Sequence, residues 1–153
     1  MVIDFPGGLF GQSDVRETET GVPGKTTYLS IPATAFRGNR PDVDDIQYGG
    51  APNFVRAFAD GISLLATVEL PHGATITSCI VHGNAAATAE SWTLERTETD
   101  GLTSVSMSSA NIGTADTTIT NPIINNQIYS YTIFTGSIDT DDRVHGAFII
   151  YTT

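Results

Sequence analysis

The sequence predicts an all-β fold: a two-sheet antiparallel β-sandwich, jelly-roll-like, of about eight strands with an N-terminal arm. Three observations predict it. Of 153 residues, 22 are Thr and 15 are Ile, and their branched Cβ atoms fit a pleated surface. No long segment keeps the i, i+3, i+4 apolar stripe of a helix. Turn signals recur at roughly 8–12 residues, the spacing of short strands in a sandwich or barrel. Eight strands in one domain favour two packed sheets over a small closed barrel.

Residues 1–25 read as the arm. Five glycines interrupt them, and Pro6 and Pro23 lack ladder donors. Val2, Ile3, Phe5, Leu9 and Phe10 are costly to leave in water. The segment is therefore either a solvated tail or an arm that docks on a neighbouring subunit through these side chains. The sandwich domain follows over residues 26–153. A short strand at 28–31 is stopped by Pro32, and RGNRPDVDD (37–45) is a polar loop. FVRAF (54–58) leads to an Asp60-Gly61 turn, and ISLLATVEL (62–70) is apolar enough to be covered on both faces. After Pro71-His72-Gly73, residues 74–82 alternate. Ile76, Ser78 and Ile80 are expected on one face, and Thr75, Thr77, Cys79 and Val81 on the other.

Gly83-Asn84 turns the chain into a short Ala-rich coil. Trp92 and Leu94 then share one face of the strand at 91–97. Asp100-Gly101 marks a hairpin into 102–107, and a polar connection leads to TTIT (117–120). Asn125-Asn126 turns into QIYSYTIFT (127–135). After GSIDTDD, the last strand covers 143–152, with Val144, Phe148 and Ile150 expected to oppose His145, Ile149 and Tyr151.

Seven basic against seventeen acidic residues give a net charge of −10, and the cations are scattered. Nucleic acid and anionic membrane surfaces are therefore excluded as expected partners. One Cys excludes an intrachain disulfide framework and a multi-Cys zinc site. Residues 1–12 carry neither a basic n-region nor a continuous apolar run, so no signal peptide is expected in this chain. Either the protein is used without export, or a leader was removed.

No nucleophile elbow, P-loop or dinucleotide motif occurs, and no catalytic residue or cofactor is expected. His72, His82 and His145 share no metal-ligand spacing and are expected to be structural. Cys79, on a strand, is expected in the core. Asp42, Asp44 and Asp45 fall in one loop, and Asp139, Asp141 and Asp142 in another. Calcium, which wants six to eight oxygens, is the metal such loops suit, though solvated turns explain both. Asp60, Glu69, Glu90 and Glu95 are the carboxylates a hydrolase would need to bring together. Trp92, Tyr129 and Tyr131 offer a sugar-stacking platform or, alternatively, core and sheet-edge packing.

YLSIPATAF (28–36), VELPHGATITSCIVHG (68–83), WTLERT (92–97), GTADTTI (113–119) and IYSYTIFTG with the closing GAFIIYTT carry a resemblance. Together they resemble a loosely defined set of microbial β-sandwich proteins of unknown function, many of them secreted or surface-exposed. There a strand enters an LP-x-GA-x-I turn and the chain closes on an I-x-Y strand. The resemblance implies the fold over residues 26–153 and brings no ligand residues. The expected function is structural. The chain is read as a self-associating subunit, with a trimer favoured, of a virion (capsid or decoration protein) or of an extracellular surface or filament assembly. The alternative is a carbohydrate- or receptor-binding β-sandwich module. A hydrolase using loop carboxylates is the weaker alternative.

Overall fold

Two antiparallel sheets of five strands each pack face to face, as expected, and the chain's last strand organises one of them. The computed structural model describes residues 24–51 and 53–153. The arm residues Val2, Ile3, Phe5, Leu9 and Phe10 lie outside the described residues. In chain order the strands are β1 (Thr26–Pro32), β2 (Arg37–Gly38), β3 (Ile46–Gly50), β4 (Asn53–Ala57) and β5 (Leu64–Val68). There follow β6 (Thr75–Gly83), β7 (Ser91–Glu98), β8 (Ser104–Asn111), β9 (Tyr129–Thr135) and β10 (Arg143–Thr152). Helical structure among the described residues is two short 3₁₀ turns, Ala33–Ala35 and Ala86–Ala89, the second being the Ala-rich coil. No helix among the described residues is long and apolar enough to cross a membrane.

In the first sheet, β10 pairs with β6 along one side and with β1, then β4, along the other; β3 lies outside β4. The second sheet runs β2-β5-β9-β7-β8. Ten strands form where about eight were expected. The additions are β2 and β3, the latter built on a Gly-Gly sequence of poor strand propensity. Gly49 is tolerated there because the Phe54 ring across the hairpin occupies the place of its missing side chain. The expected strand at 117–120 stays within the connection from β8 to β9.

The inner faces meet in one core. Trp92, Leu94, Ile133 and Leu64 of the second sheet oppose Ile149, Val81, Cys79 and Val55 of the first. Each such side chain stabilises the fold by about 1.5–3 kcal/mol through removal from water. Trp92 is wholly buried, and its Nε1 donates to the Thr114 carbonyl at 3.2 Å. The connection after β8 closes the gap between the sheets along the free side of β6. Cys79 and Asp116 exchange backbone hydrogen bonds at 3.0 and 2.9 Å, and Ile76 N–H donates to the Pro122 carbonyl. The Asp116 carboxylate meanwhile accepts from Ser108 Oγ, Ser109 N–H and Thr118 N–H. One residue thus ties β6 of one sheet to β8 of the other.

Two bulges decide which side chains face out. The β10–β6 register shifts between Val144 and Gly146 and again between Ile150 and Tyr151. As a result Ile76, Cys79 and Val81 all point inward while Ser78 and Ile80 point out. On β10, Val144, Ile149 and Tyr151 point inward and Phe148 and Ile150 do not. Unbroken alternation would have grouped Ile76 with Ile80 and Val144 with Phe148, so both expected groupings are corrected. An extra residue in one strand inverts the alternation beyond it.

Candidate functional site

The outer face of the first sheet carries three cross-strand rows set by the register: Tyr28–Ile150–Ser78, Ser30–Phe148–Ile80 and Pro32–Gly146–His82. On an ordinary outer face such rows would be polar. Here Tyr28 is 60% exposed and stacks on Phe148, with ring centroids 5.6 Å apart and planes 19° from parallel. Beside the rings lies an open groove of about 750 Å³, walled by Ser30, Pro32, His82, His145 and Phe148. His145 occupies the bulge between the pairs Val144–Gly83 and Gly146–His82, which brings it to the same groove as His82. Its Nε2 is buried and has no hydrogen-bond partner. Buried polar atoms are nearly always paired, so this unpaired one beneath the wall is unusual. Chemically, the site offers a flat apolar surface next to imidazole and hydroxyl groups.

The bulge depends on Gly146. Its φ of +140° lies where only glycine is comfortable, and a Cβ there would meet the Ile31 carbonyl oxygen at 2.5 Å.

Other residues singled out in the sequence have different fates. Trp92 and Tyr131 are buried, and Tyr131 Oη accepts from Asn125 N–H at 2.7 Å, so they form no exposed platform with Tyr129. His72 Nδ1 accepts from Asn126 N–H, bracing one turn against another. Cys79 is buried, and its thiol is pushed up to about 12 by burial and by the nearby Asp116 charge, against a backbone hydrogen bond from Ile80. Asp116 is itself held below the usual carboxylate range, first by the Thr118 N–H and then by the Ser108 hydroxyl and Ser109 N–H.

Of the two acidic loops, the first is internally satisfied. Asp44 pairs with Arg40 at 3.3 Å and accepts the Arg40 N–H at 2.6 Å. In the second, the carboxylates of Asp139 and Asp142 gather with Glu90, with oxygens within 4.8 Å of one another. Asp141 instead contributes its carbonyl to Asn84. The trio amounts to three carboxylates, with Asp142 Oδ2 already accepting the Asp139 N–H, short of the six to eight free oxygens that calcium wants. Asp60 Oδ1 is occupied by Thr140 N–H and Glu95 Oε2 by Ser104 Oγ. Asp60, Glu69 and Glu95 join no close acidic group of three among the described residues.

No protein-family model matches the chain. No curated protein matches it either. Among solved structures, the C-terminal CBM6 of LamC, a marine laminarinase from Zobellia galactanivorans, is similar with a TM-score of 0.51 at 12% identity. That match covers 83% of this chain and 100% of that one. A xylan-binding module, CBM15, gives a TM-score of 0.49 at 12% identity, over 84% and 98% of the respective chains. The first likeness shows the fold. It also corrects the expectation of a self-associating virion, surface or filament subunit, because the sandwich from which that role was inferred is equally the fold of a CBM6. The free side of β6 is covered by this chain's own connection, at Cys79–Asp116 and Thr75–Ile123.

Proposed function

We propose that this chain is a non-catalytic carbohydrate-binding module working outside the cell or at its surface, and that the groove on the outer face of the first sheet receives the saccharide. The observation that carries this reading is the exposed Tyr28–Phe148 stack beside the open groove walled by Ser30, His82 and His145. A pyranose ring has an apolar C–H face ringed by hydroxyls. The aromatic pair gives the C–H face a surface that water would otherwise cover at a cost. A hydroxyl both donates and accepts, so it suits the imidazole and hydroxyl groups of the groove wall in either role. Ser30 and His82 supply further partners on the same wall. The likeness to a CBM6 sandwich supports this reading at the level of fold.

The test is affinity electrophoresis against soluble neutral polysaccharides, xylan and laminarin among them, followed by calorimetry on oligosaccharides of any polymer that retards the protein. Tyr28→Ala is expected to weaken binding at least tenfold, about 1.4 kcal/mol, with the fold intact. Retardation unaffected by Tyr28→Ala, or no retardation by any saccharide, refutes the reading.

A further inference from the structure

A second cleft lies on the inner side of the second sheet, at a sandwich end away from the groove. Trp92, Leu94 and Arg96 lie along the inward side of β7, opposite Thr135, Ile133 and Tyr131 of β9. The first two fill the core. Arg96, one step further, lies beyond it. Its guanidinium sits 4.5 Å from the centroid of the Tyr129 ring, and its Nε is buried with no hydrogen-bond partner. Asn121, Pro122 and Ile123 complete a cleft of about 280 Å³ around it. Asn121 adopts a left-handed φ of 52°, the one non-glycine residue among those described to do so, and Ile123 is largely exposed.

An arginine half-buried without a counter-ion is unexpected in a chain of net charge −10. The only ion pair among the described residues is Arg40–Asp44. The Tyr129 ring supports the guanidinium, whose two Nη groups join no ion pair among the described residues and form a fork for a planar carboxylate. Pro122 and Ile123 provide an apolar wall alongside. We infer that this cleft is a separate binding site for the carboxylate of an acidic sugar, a uronic acid residue. The inference rests on the carbohydrate-binding reading for its ligand class, and it uses none of the groove residues. The acidic surface opposes a dense polyanion, so the ligand is a single uronate unit within or at the end of a largely neutral chain.

The experiment is an amide NMR titration of the full chain with glucuronate and galacturonate, with glucose and acetate as comparison ligands. Saturable uronate shifts are expected at Arg96, Asn121, Ile123 and Tyr129, with none from glucose and much weaker ones from acetate. Arg96→Gln is expected to abolish them. Arg96→Lys, which keeps charge and stem but loses the fork, should weaken binding about tenfold. Tyr28→Ala should leave uronate binding unchanged. Uronate titrating the cleft while neutral saccharides leave the groove untouched would sink the groove reading and sustain this one. The inference is overturned if uronate shifts none of these amides, if acetate binds as tightly, or if a folded Arg96→Gln or Arg96→Lys protein binds as the native chain does.

Discussion

Replacing Gly146 by Ala tests the bulge that shapes the groove. Two costs arise in the folded state. A residue with a Cβ at φ +140° carries strain on the order of 1–3 kcal/mol. The new methyl group would also stand 2.5 Å from the Ile31 carbonyl oxygen, roughly 0.8 Å inside an ordinary C···O contact. Backbone cannot rotate away as a side-chain tip would, so β1 must shift, adding about 1–3 kcal/mol. The middle of both ranges totals about 4 kcal/mol. For a domain of this size that lowers the melting temperature by roughly 8–16 °C. Thermal unfolding followed by far-UV circular dichroism reads the shift. Gly50→Ala is the control, since the methyl group it adds would have no atom within 4 Å; it should melt within a degree or two of the native protein. A Gly146→Ala protein that loses less than about 2 °C would refute the reasoning, because the bulge would then tolerate a side chain.

Two further outcomes follow from titratable groups. Cys79, with its thiol near 12 and its side chain in the core, should resist iodoacetamide at pH 8 and react only when urea unfolds the chain; labelling at the rate of a free thiol would contradict its placement. Asp116 has a depressed folded-state value, so its contribution is fully present above the unfolded carboxylate value near 4 and is lost as pH falls through the lower folded value. Acid unfolding of Asp116→Asn should accordingly show a shallower loss of stability below about pH 4, from a lower plateau at neutral pH. An acid limb of unchanged steepness would mean the carboxylate is not held as described.

Much of the architecture was legible in the residues. Thr- and Ile-rich segments between Gly, Pro and Asn turns became β1, β5, β6, β7, β9 and β10, because strand propensity and core burial agree there. What stayed hidden was long-range. Alternation along 74–82 and 143–152 is a local signal, whereas a bulge arises from how two strands pair, and two bulges moved Phe148 and Ile80 to the outside. Without that inversion the face would not carry its aromatic stack. His82 and His145 were visible individually, yet only the β6–β10 register places both on one groove wall. Arg96 gave no signal at all, since what sets it apart, a guanidinium over the Tyr129 ring outside any ion pair of the described residues, exists only in space. Glu90 likewise reaches Asp139 and Asp142 from three strands earlier. The Gly-Gly end of β3 reads as a turn until the Phe54 ring is known to cover it.

The pairing of β1 with β10 joins the beginning of the domain to its end: Gly24 N–H donates to the Thr153 carbonyl, and Thr26 faces Thr152. The groove is therefore incomplete until β10 has been made, although its β1 and β6 walls come much earlier in the chain. A nascent chain can hold the second sheet's strands complete while the Tyr28 ring has no Phe148 to meet. Contacts between such distant positions close slowly, so folding in milliseconds to seconds is the expected regime. Proteolytic cleavage just before β10 would part the groove from Phe148 and take away the sheet's central strand in one cut.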